Sequence, residues 1–425
     1  MKKNYCIIGA GPCGLMTAKA FKNADISFDV LEKHHNVGGI WDMTNDGTPL
    51  YEAAHFISSR TKSGFPSFPM PDSFPDYPSH THVLSYIRDY AAQENLYQYI
   101  KFNQKVTKVE KHNDDNWLVT TEDGTVRNYA GVVCCNGTLW TENMPILRGT
   151  FDGTIRHGRT FKKSKEFMGK RVLVMGGGNS GVDIACEAAT YADAAFISLR
   201  RGYHFIPKFI FGKPTDVFAD EGPKLPRKME QWVLTKVLKI VNGDQTKFGL
   251  PKPDHKLLES HPVLSSQIFH HLQHGHLKVK PDVERLEGNE VVFTDGSRET
   301  VDEIVCATGY NYAIPYAHNY FDWQDNRPKL YLSIFNPKHD NLFAIGFLET
   351  NSGAYALLEE CVDTLSKYLI SKELSPQKAS DFRKKAETET VDMTGNINFV
   401  KSARATGYVD ADTYRAYLRK VIKQL

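Results

Sequence analysis

YCIIGAGPCGLMTA, at residues 5–18, decides the fold of the first part of the chain. It opens with a short apolar run, which predicts a buried parallel strand. Gly9, Gly11 and Gly14 then give the spacing G-x-G-x-x-G, and a helical pattern follows. In this order the glycines permit a tight turn, the close approach of a pyrophosphate, and close packing of helix on strand. The stretch therefore predicts a dinucleotide-binding unit.

A second apolar strand, ISFDVLE, follows this unit and ends in Glu32. An acid at this distance from the glycines accepts hydrogen bonds from a ribose diol. In the next run, KHHNVGGIW, Gly38 and Gly39 suit a close approach of the backbone to a ligand. Trp41 either covers that ligand or belongs to the core, and both interpretations stay open.

Near the middle of the chain, KRVLVMGGGNSGVDIA repeats the pattern of strand, glycines and helix, with Gly176, Gly178 and Gly181. The strand after it, AAFISLRR, ends in Arg200 and Arg201 instead of an acid. An acid there would repel a 2′-phosphate, whereas arginine binds it through a bidentate, charge-assisted hydrogen bond. The pattern predicts NADP(H) rather than NAD(H); the alternative is a solvated basic pair.

Two glycine units of opposite charge preference predict an α/β protein with two Rossmann-like dinucleotide-binding domains, one for FAD and one for NADPH. Such a chain would bring a hydride donor and a flavin together. We expect residues 1–150 to form the first part of the FAD-binding domain and 151–305 the NADP-binding domain. Residues 306–425 would complete the FAD-binding domain and add a C-terminal tail. A partly helical insertion is expected at about 210–275, where 226–242 carry a helical apolar face.

The composition argues against several other classes of protein. The chain has 425 residues, a formal net charge of +2 and no dense Lys/Arg block, so we expect no nucleic-acid partner. No run approaches the roughly 18 apolar residues of a membrane span, and the N-terminal run is a poor secretory signal. Seven cysteines lack C-x-x-C spacing, and the histidines between His255 and His276 lack a carboxylate-bearing pattern. We therefore expect no metal site and a cytoplasmic location.

A further stretch, FDGTIRHGRTF at residues 151–161, fits F-x-G-x-x-x-H-x-x-x-(Y/F). It resembles the identifying sequence of the flavin-containing monooxygenases, which are class B flavoprotein monooxygenases. LEKHHNVGGIW, FPSFPMPDSFPDYPSH and CATGY are also similar to family motifs and occur in the family's order. The resemblance spans nearly the whole chain and fades after about residue 375.

The resemblance implies that NADPH reduces FAD and that O₂ then forms a C4a-(hydro)peroxyflavin, which passes one oxygen to an amine nitrogen or a sulfide sulfur. By position, the FAD-binding residues would be Gly9, Gly11, Pro12, Gly14, Glu32, Gly39, Ile40, Trp41 and the backbone of Val106, although Val106 is equally compatible with simple strand core. The NADP(H)-binding residues would be Gly178, Asn179, Ser180, Gly181, Arg200 and Arg201. Thr308 and Asn311 would lie near both cofactors.

The chain departs from the family at SSRTKSG, where many members carry N-x-x-K-E. Aligned on Lys62, Ser59 takes the place of the asparagine that touches the flavin, and is the candidate catalytic residue. Serine cannot offer the two-sided hydrogen bonding of an amide. Ser59 is also compatible with an inert loop serine.

Two other functions stay open. The Baeyer–Villiger monooxygenases share both glycine patterns and oxidise ketones, but their identifying stretch typically ends in Trp, where this chain has Phe161. A non-catalytic NADP(H)-binding regulator would require a first site without flavin. A homodimer is also left open.

Overall fold

The structure is a computed structural model, and it describes residues 3–113, 116–222, 225–400 and 407–425. The described chain divides into two compact units. Unit 1 runs up to Thr48, from Arg60 to Thr141 and from Asn311 onward, and unit 2 comprises Pro49–Ser59 and Glu142–Tyr310. Within the described ranges, no helix combines the length and the apolar character needed to cross a membrane.

The strands are β1 (Asn4–Ile8), β2 (Ser27–Leu31), β3 (Ile100–Lys101), β4 (Val106–Asn113), β5 (Asn116–Thr121), β6 (Val126–Tyr129), β7 (Gly131–Cys134), β8 (Thr141–Glu142), β9 (Gly149–Phe151), β10 (Thr154–His157), β11 (Arg171–Met175), β12 (Ala194–Ser198), β13 (Phe205–Ile206), β14 (Phe209–Ile210), β15 (Lys213–Pro214), β16 (Val263–Leu264), β17 (Leu277–Lys280), β18 (Val283–Gly288), β19 (Glu290–Phe293), β20 (Arg298–Thr300), β21 (Glu303–Cys306), β22 (Tyr310–Asn311), β23 (Trp323–Gln324), β24 (Arg327–Pro328), β25 (Leu342–Ala344), β26 (Glu349–Thr350) and β27 (Tyr408–Val409). The α-helices are α1 (Pro12–Asn23), α2 (Arg60–Ser63), α3 (His80–Gln93), α4 (Asn179–Tyr191), α5 (Thr215–Glu221), α6 (Arg227–Asn242), α7 (Gln267–Gln273), α8 (Ala354–Leu374), α9 (Pro376–Thr388) and α10 (Ala411–Gln424).

Unit 1 is built on a parallel sheet of strand order β25-β7-β1-β2-β3. Four of the five residues of β1 are buried, as its unbroken apolar run requires of a strand covered on both faces. Helix α1 follows β1 and packs beside α8, which in turn contacts α9 and α10. An antiparallel sheet, β4-β5-β6, adds the fully buried Trp117 to the core of this unit.

Unit 2 repeats the architecture with a parallel sheet of strand order β10-β21-β11-β12-β17. Its core includes Leu173, Phe196 and Ile304, one from each of three adjacent strands. Helices α5, α6 and α7 fall between residues 210 and 275, where a partly helical insertion is predicted. The α/β class with two Rossmann-like units is thus confirmed.

Candidate functional site

The two glycine loops have the same backbone geometry. Gly9 and Gly176 directly follow their strands with φ of +106° and +119°, a conformation that favours glycine. A Cβ on Gly14 would lie 1.8 Å from the carbonyl oxygen of Gly9, and one on Gly181 would lie 2.1 Å from that of Gly176. Only a glycine therefore lets each helix pack onto its own loop.

The helices that follow these loops begin without a side-chain cap. Gly11 is the N-cap of α1 and Gly178 that of α4, and neither cap has a side-chain hydrogen bond in the described structure. The first N–H groups and the positive end of each helix dipole therefore suit an anion. Pro12, at the first position of α1, has no N–H to satisfy. A Cβ on Gly178 would meet no atom within 4 Å, so there is space for a ligand at that helix end.

Glu32 directly follows β2 and binds the first glycine loop through its carboxylate. Its side chain is buried; Oε2 accepts a hydrogen bond from the Ala10 N–H at 2.6 Å, and Oε1 accepts one from the His34 N–H at 2.8 Å. Burial raises the pKa of Glu32 above its ordinary value, and the two N–H groups oppose that rise. Each carboxylate oxygen keeps a second lone pair, so bonds to a ribose diol would add to these contacts.

A 3₁₀ turn from Gly39 to Trp41 lies against the first loop. A Cβ on Gly39 would be 3.1 Å from the Cα of Gly11. Trp41 Nε1 donates to the Tyr355 hydroxyl at 2.9 Å, and the carbonyl of Ile40 accepts a side-chain hydrogen bond. The turn is therefore fixed where the sequence predicts contact with the cofactor.

Val106 begins β4, opposite Thr121, and packs half-buried against the core of unit 1. The contacts that the structure describes for its side chain are those of strand core. That the Val106 backbone binds the adenine of FAD stays a prediction.

In the second loop, Asn179 and Ser180 differ in their surroundings. Asn179 Nδ2 donates to the carbonyl of Pro262 at 3.1 Å, and its Oδ1 accepts from the Leu264 N–H at 2.9 Å. The amide thus holds the loop to β16, a role that the sequence pattern does not indicate. Ser180 is exposed on the first turn of α4.

The arginine pair lies at the sheet edge next to this loop. Strand β12 pairs in parallel with β11 and ends at Ser198, so both strands direct their carboxyl ends to one edge. Arg200 is exposed and makes no hydrogen bond or ion pair with any residue of the described ranges. Arg201 is half-buried, donates to Ser260 Oγ at 3.2 Å and lies 5.3 Å from the ring centroid of Tyr203. Arg200 is the cation available to a ligand.

Thr308 and Asn311 belong to different units. Thr308 follows β21 in unit 2, and its Oγ1 donates to the carbonyl of Asn143 at 2.6 Å. Asn311 is half-buried and opens the last segment of unit 1. Contact of either residue with a cofactor stays a prediction.

Ser59 is fully buried and ends the segment Pro49–Ser59 of unit 2, which we call the strap. Its N–H donates to Asp216 Oδ2 at 2.7 Å. Its hydroxyl has no hydrogen-bond partner among the described residues. Because an unpaired buried hydroxyl is costly, a ligand that bonds to it would recover that cost.

The residues that hold the strap are not among those predicted from the sequence. Lys162 Nζ donates to the carbonyl of Leu50 at 2.9 Å, and the Glu52 N–H donates to the carbonyl of Lys162 at 2.9 Å. The Tyr51 hydroxyl donates to Asp183 Oδ2 at 3.0 Å. The available signal was the acid Asp183 within the second glycine stretch, GNSGVDIA.

His157, inside the stretch that resembles a family motif, is buried in β10. Its Nε2 hydrogen-bonds to the carbonyl of Gly309 at 2.9 Å, and its Nδ1 accepts from the Arg159 N–H at 3.1 Å. Burial lowers the pKa of His157, which favours the neutral ring that these two bonds require. This histidine is a structural residue within unit 2. In the described ranges, no group of three or more His, Cys, Asp or Glu side chains could hold a metal ion.

Residues 2–368 match the model of a family described as FMO-like, flavin-binding monooxygenase-like. The chain belongs to this family. It is 31% identical over 377 residues to flavin-containing monooxygenase 5 of Mus musculus, covering 82% of this chain and 70% of that protein.

Two solved structures show the same fold as this family member. Cyclohexanone monooxygenase from Rhodococcus sp. Phi1, bound to NADP⁺, has a TM-score of 0.71 at 16% identity, over 99% of this chain and 97% of that one. S-allyl-L-cysteine S-oxygenase from Allium sativum has a TM-score of 0.64 at 17% identity, over 100% of this chain and 99% of that one.

As a member of the flavin-binding monooxygenase-like family, the chain is a flavoprotein monooxygenase that uses FAD and NADP(H). Its own residues fit both groups. Each unit offers an uncapped helix N-terminus to a pyrophosphate. Only unit 2 adds an exposed arginine without a partner in the described chain, as a 2′-phosphate requires.

Proposed function

We propose that the chain oxygenates soft nucleophiles, at an amine nitrogen or a sulfide sulfur, with FAD at the first glycine loop and NADP(H) at the second. One observation carries the assignment of the two cofactors. After the strand that follows each glycine loop, unit 1 has the buried Glu32, one residue beyond β2, and unit 2 has the exposed Arg200, two residues beyond β12. A carboxylate favours a ribose diol and repels the 2′-phosphate that arginine attracts.

Toward FAD, the N–H groups at the start of α1 would bind the pyrophosphate, because the glycine spacing brings the backbone close to it. Glu32 would accept the ribose hydroxyls through its remaining lone pairs. The further FAD-binding residues in this proposal are Gly9, Gly11, Pro12, Gly14, Gly39, Ile40, Trp41 and the backbone of Val106.

Toward NADP(H), the N–H groups at the start of α4 would bind the pyrophosphate, and Arg200 would bind the 2′-phosphate. Arg201, which Ser260 and Tyr203 keep in position, would add a second positive charge near the 2′-phosphate. Asn179 would act indirectly, because its amide already keeps the loop in position. Gly178, Ser180 and Gly181 complete this set, and Thr308 and Asn311 would lie near both cofactors.

When bound, the flavin supplies two-electron chemistry and the activation of O₂. The chain's part is to orient the cofactors and to keep water from the reacting atoms. We propose that the buried Ser59 hydroxyl forms a single hydrogen bond to the flavin side of the site. An amide would form two, so we expect serine to hold its ligand less firmly.

The test is product analysis with purified protein, FAD, NADPH and O₂, supplied separately with a thioether, a tertiary amine and a cyclic ketone. We expect a sulfoxide and an N-oxide as the main products, with NADPH consumption rising when either substrate is added. A lactone as the main product would instead assign ketone oxygenation to the chain. A purified protein that holds no flavin would overturn the proposal in favour of a regulator.

We also propose a cytoplasmic location and leave a homodimer as a prediction. All seven cysteines are free, as expected of a protein from a reducing compartment. Cell fractionation tests the location. Light scattering tests the assembly, since it separates the mass of one chain from that of two.

A further inference from the structure

The strap is tied to two other segments of unit 2 through carboxylates. Near its start, the Tyr51 hydroxyl donates to Asp183 Oδ2 at 3.0 Å. At its end, the Ser59 N–H donates to Asp216 Oδ2 at 2.7 Å. Hydrogen bonds to a charged acceptor are the stronger class, so these two ties hold the strap more firmly than neutral bonds would.

The end of the stretch FDGTIRHGRTF and the residue after it contact the strap. The Tyr51 ring lies 5.5 Å from the ring of Phe161, the last residue of that stretch, and Phe161 stacks on Phe167 at 4.8 Å. All three rings are buried. Lys162, the next residue, bonds to the strap through both its main chain and its side chain. The position of Tyr51 is therefore defined by a ring contact and by the hydrogen bond of its hydroxyl.

Asp183 connects this arrangement to the nucleotide loop. It lies on α4, five residues after Gly178, the N-cap of that helix. The carboxylate that holds the strap therefore belongs to the helix whose first N–H groups face the proposed NADP(H) pyrophosphate. The strap in turn ends in the buried hydroxyl of Ser59.

We propose that Asp183 is a positioning residue: through Tyr51 it fixes the strap, and with it the Ser59 hydroxyl, relative to the nucleotide-binding end of α4. The inference rests on the proposed function and adds a second set of residues to it. Loss of the tie leaves Arg200 and the glycine loop in place, so NADPH should still bind. A loosened strap should instead raise the share of consumed NADPH and O₂ that ends as NADP⁺ and hydrogen peroxide rather than as oxygenated substrate.

The test compares Tyr51→Phe, Asp183→Ala and Asp183→Asn in the full chain with FAD. Tyr51→Phe keeps the ring packing and removes only the hydroxyl, whereas Asp183→Asn keeps an acceptor for it. Asp193→Ala and Tyr191→Phe are the matched controls, because both side chains are exposed at the end of α4 or just beyond it. Hydrogen exchange of the peptide covering 49–59 reports the tie without relying on activity. Peroxide released per NADPH consumed reports its consequence.

We expect exchange of the strap peptide to rise about tenfold in Tyr51→Phe and Asp183→Ala, to rise less in Asp183→Asn, whose neutral amide oxygen still accepts the bond, and to be unchanged in the controls. The peroxide fraction should follow the same order, with the KM for NADPH changed less than twofold. Unchanged strap exchange in Tyr51→Phe would overturn the tie, even if Asp183→Ala failed to fold. Raised exchange with an unchanged peroxide fraction would overturn the positioning role. A wild-type protein that consumed no NADPH would overturn the proposed function, while the exchange comparison would still decide the tie.

Discussion

At the residue scale, the two neighbouring arginines of one sequence motif differ in whether they already have a partner. Arg201 already has Ser260 and Tyr203 as partners, whereas Arg200 has no partner in the described chain. We therefore expect Arg200→Ala to raise the KM for NADPH roughly 10- to 100-fold, because a hydrogen bond to a charged group contributes about 1.5–3 kcal/mol. The KM for NADH, which lacks the 2′-phosphate, should change less than twofold. Initial rates with each nucleotide measure both values.

Arg148→Ala is the control for this experiment, since Arg148 is also an exposed arginine of unit 2. It should leave both KM values unchanged. Equal losses for NADPH and NADH in Arg200→Ala would show that the guanidinium does not bind the 2′-phosphate.

Asp183 should also make the stability of the protein depend on pH. Burial raises its pKa from 3.8 to about 6, while the Tyr51 hydroxyl and Lys208 oppose the rise. Between these two values the folded chain binds a proton that the unfolded chain has lost, so this group's contribution is present below pH 4 and lost as pH rises through 6. The pKa shift corresponds to a loss of at most about 3 kcal/mol. Solvent screening of the half-buried Asp183 side chain makes the loss smaller than this bound.

Asp183→Asn does not titrate and should therefore lack this pH dependence. We expect the free energy of unfolding of wild type, relative to the variant, to fall between pH 4 and pH 6 and to be constant above that range. Urea titrations at several pH values measure it. His55 and Glu187 also face Asp183, so the comparison with the variant is needed to isolate the contribution of Asp183. A relative stability that rose with pH would contradict a raised pKa.

At the element scale, different glycines of the second loop are needed for stability and for nucleotide binding. A Cβ on Gly178 would meet no atom within 4 Å, whereas one on Gly181 would lie 2.1 Å from the carbonyl oxygen of Gly176. We expect Gly178→Ala to keep wild-type stability and to weaken NADP⁺ binding about tenfold, because its methyl group would fill the space for the pyrophosphate. Gly181→Ala should lower the free energy of unfolding by about 1–3 kcal/mol, because helix and loop must move apart.

Thermal melting and calorimetric titration with NADP⁺ give the two quantities for each variant. If Gly178→Ala bound NADP⁺ as tightly as wild type, the start of α4 would not be the pyrophosphate site.

Elements with a strong local pattern could be predicted from the sequence, and their tertiary partners could not. The apolar spacing predicted a helix at 226–242, and α6 spans Arg227–Asn242. Yet Trp232 on its apolar face is 62% exposed, since periodicity shows which face is apolar and not what covers it. Asn179 was predicted from a motif, but its amide bonds to β16, some 80 residues away. Such contacts depend on the tertiary fold, which local spacing does not encode.

At the scale of the whole molecule, each unit is built on a five-stranded parallel sheet that contains the strand of one glycine stretch. This explains why the two glycine stretches sufficed to predict the α/β class. Each stretch fixes a strand, a turn and a helix, and the remaining strands add in parallel on either side. The strap is a different case, because it lies between unit 1 segments in the chain and packs within unit 2. It is held by a bond between two side chains, Tyr51 and Asp183, and no local sequence pattern indicates that these two residues pair.

The C-terminal helices lie beyond the family match, which ends at residue 368, yet they complete the core of unit 1. On α9, the ring of Phe382 lies 4.8 Å from that of Phe335 and 5.2 Å from that of Tyr368 on α8. Because α8 packs on α1, which follows the first glycine loop, damage to this cluster should reach the FAD site. We expect Phe382→Ala to lower the free energy of unfolding by about 3–5 kcal/mol and to reduce the FAD content of the purified protein.

The same variant should bind NADP⁺ with unchanged affinity per folded molecule, because the second glycine loop belongs to unit 2. Flavin absorbance, chemical denaturation and calorimetry measure the three quantities. Lys378→Ala, an exposed change on the same helix, should leave all three at wild-type values. If Phe382→Ala instead lost NADP⁺ and kept FAD, the two cofactors would have been assigned to the wrong units, since only a site within unit 1 depends on this aromatic cluster.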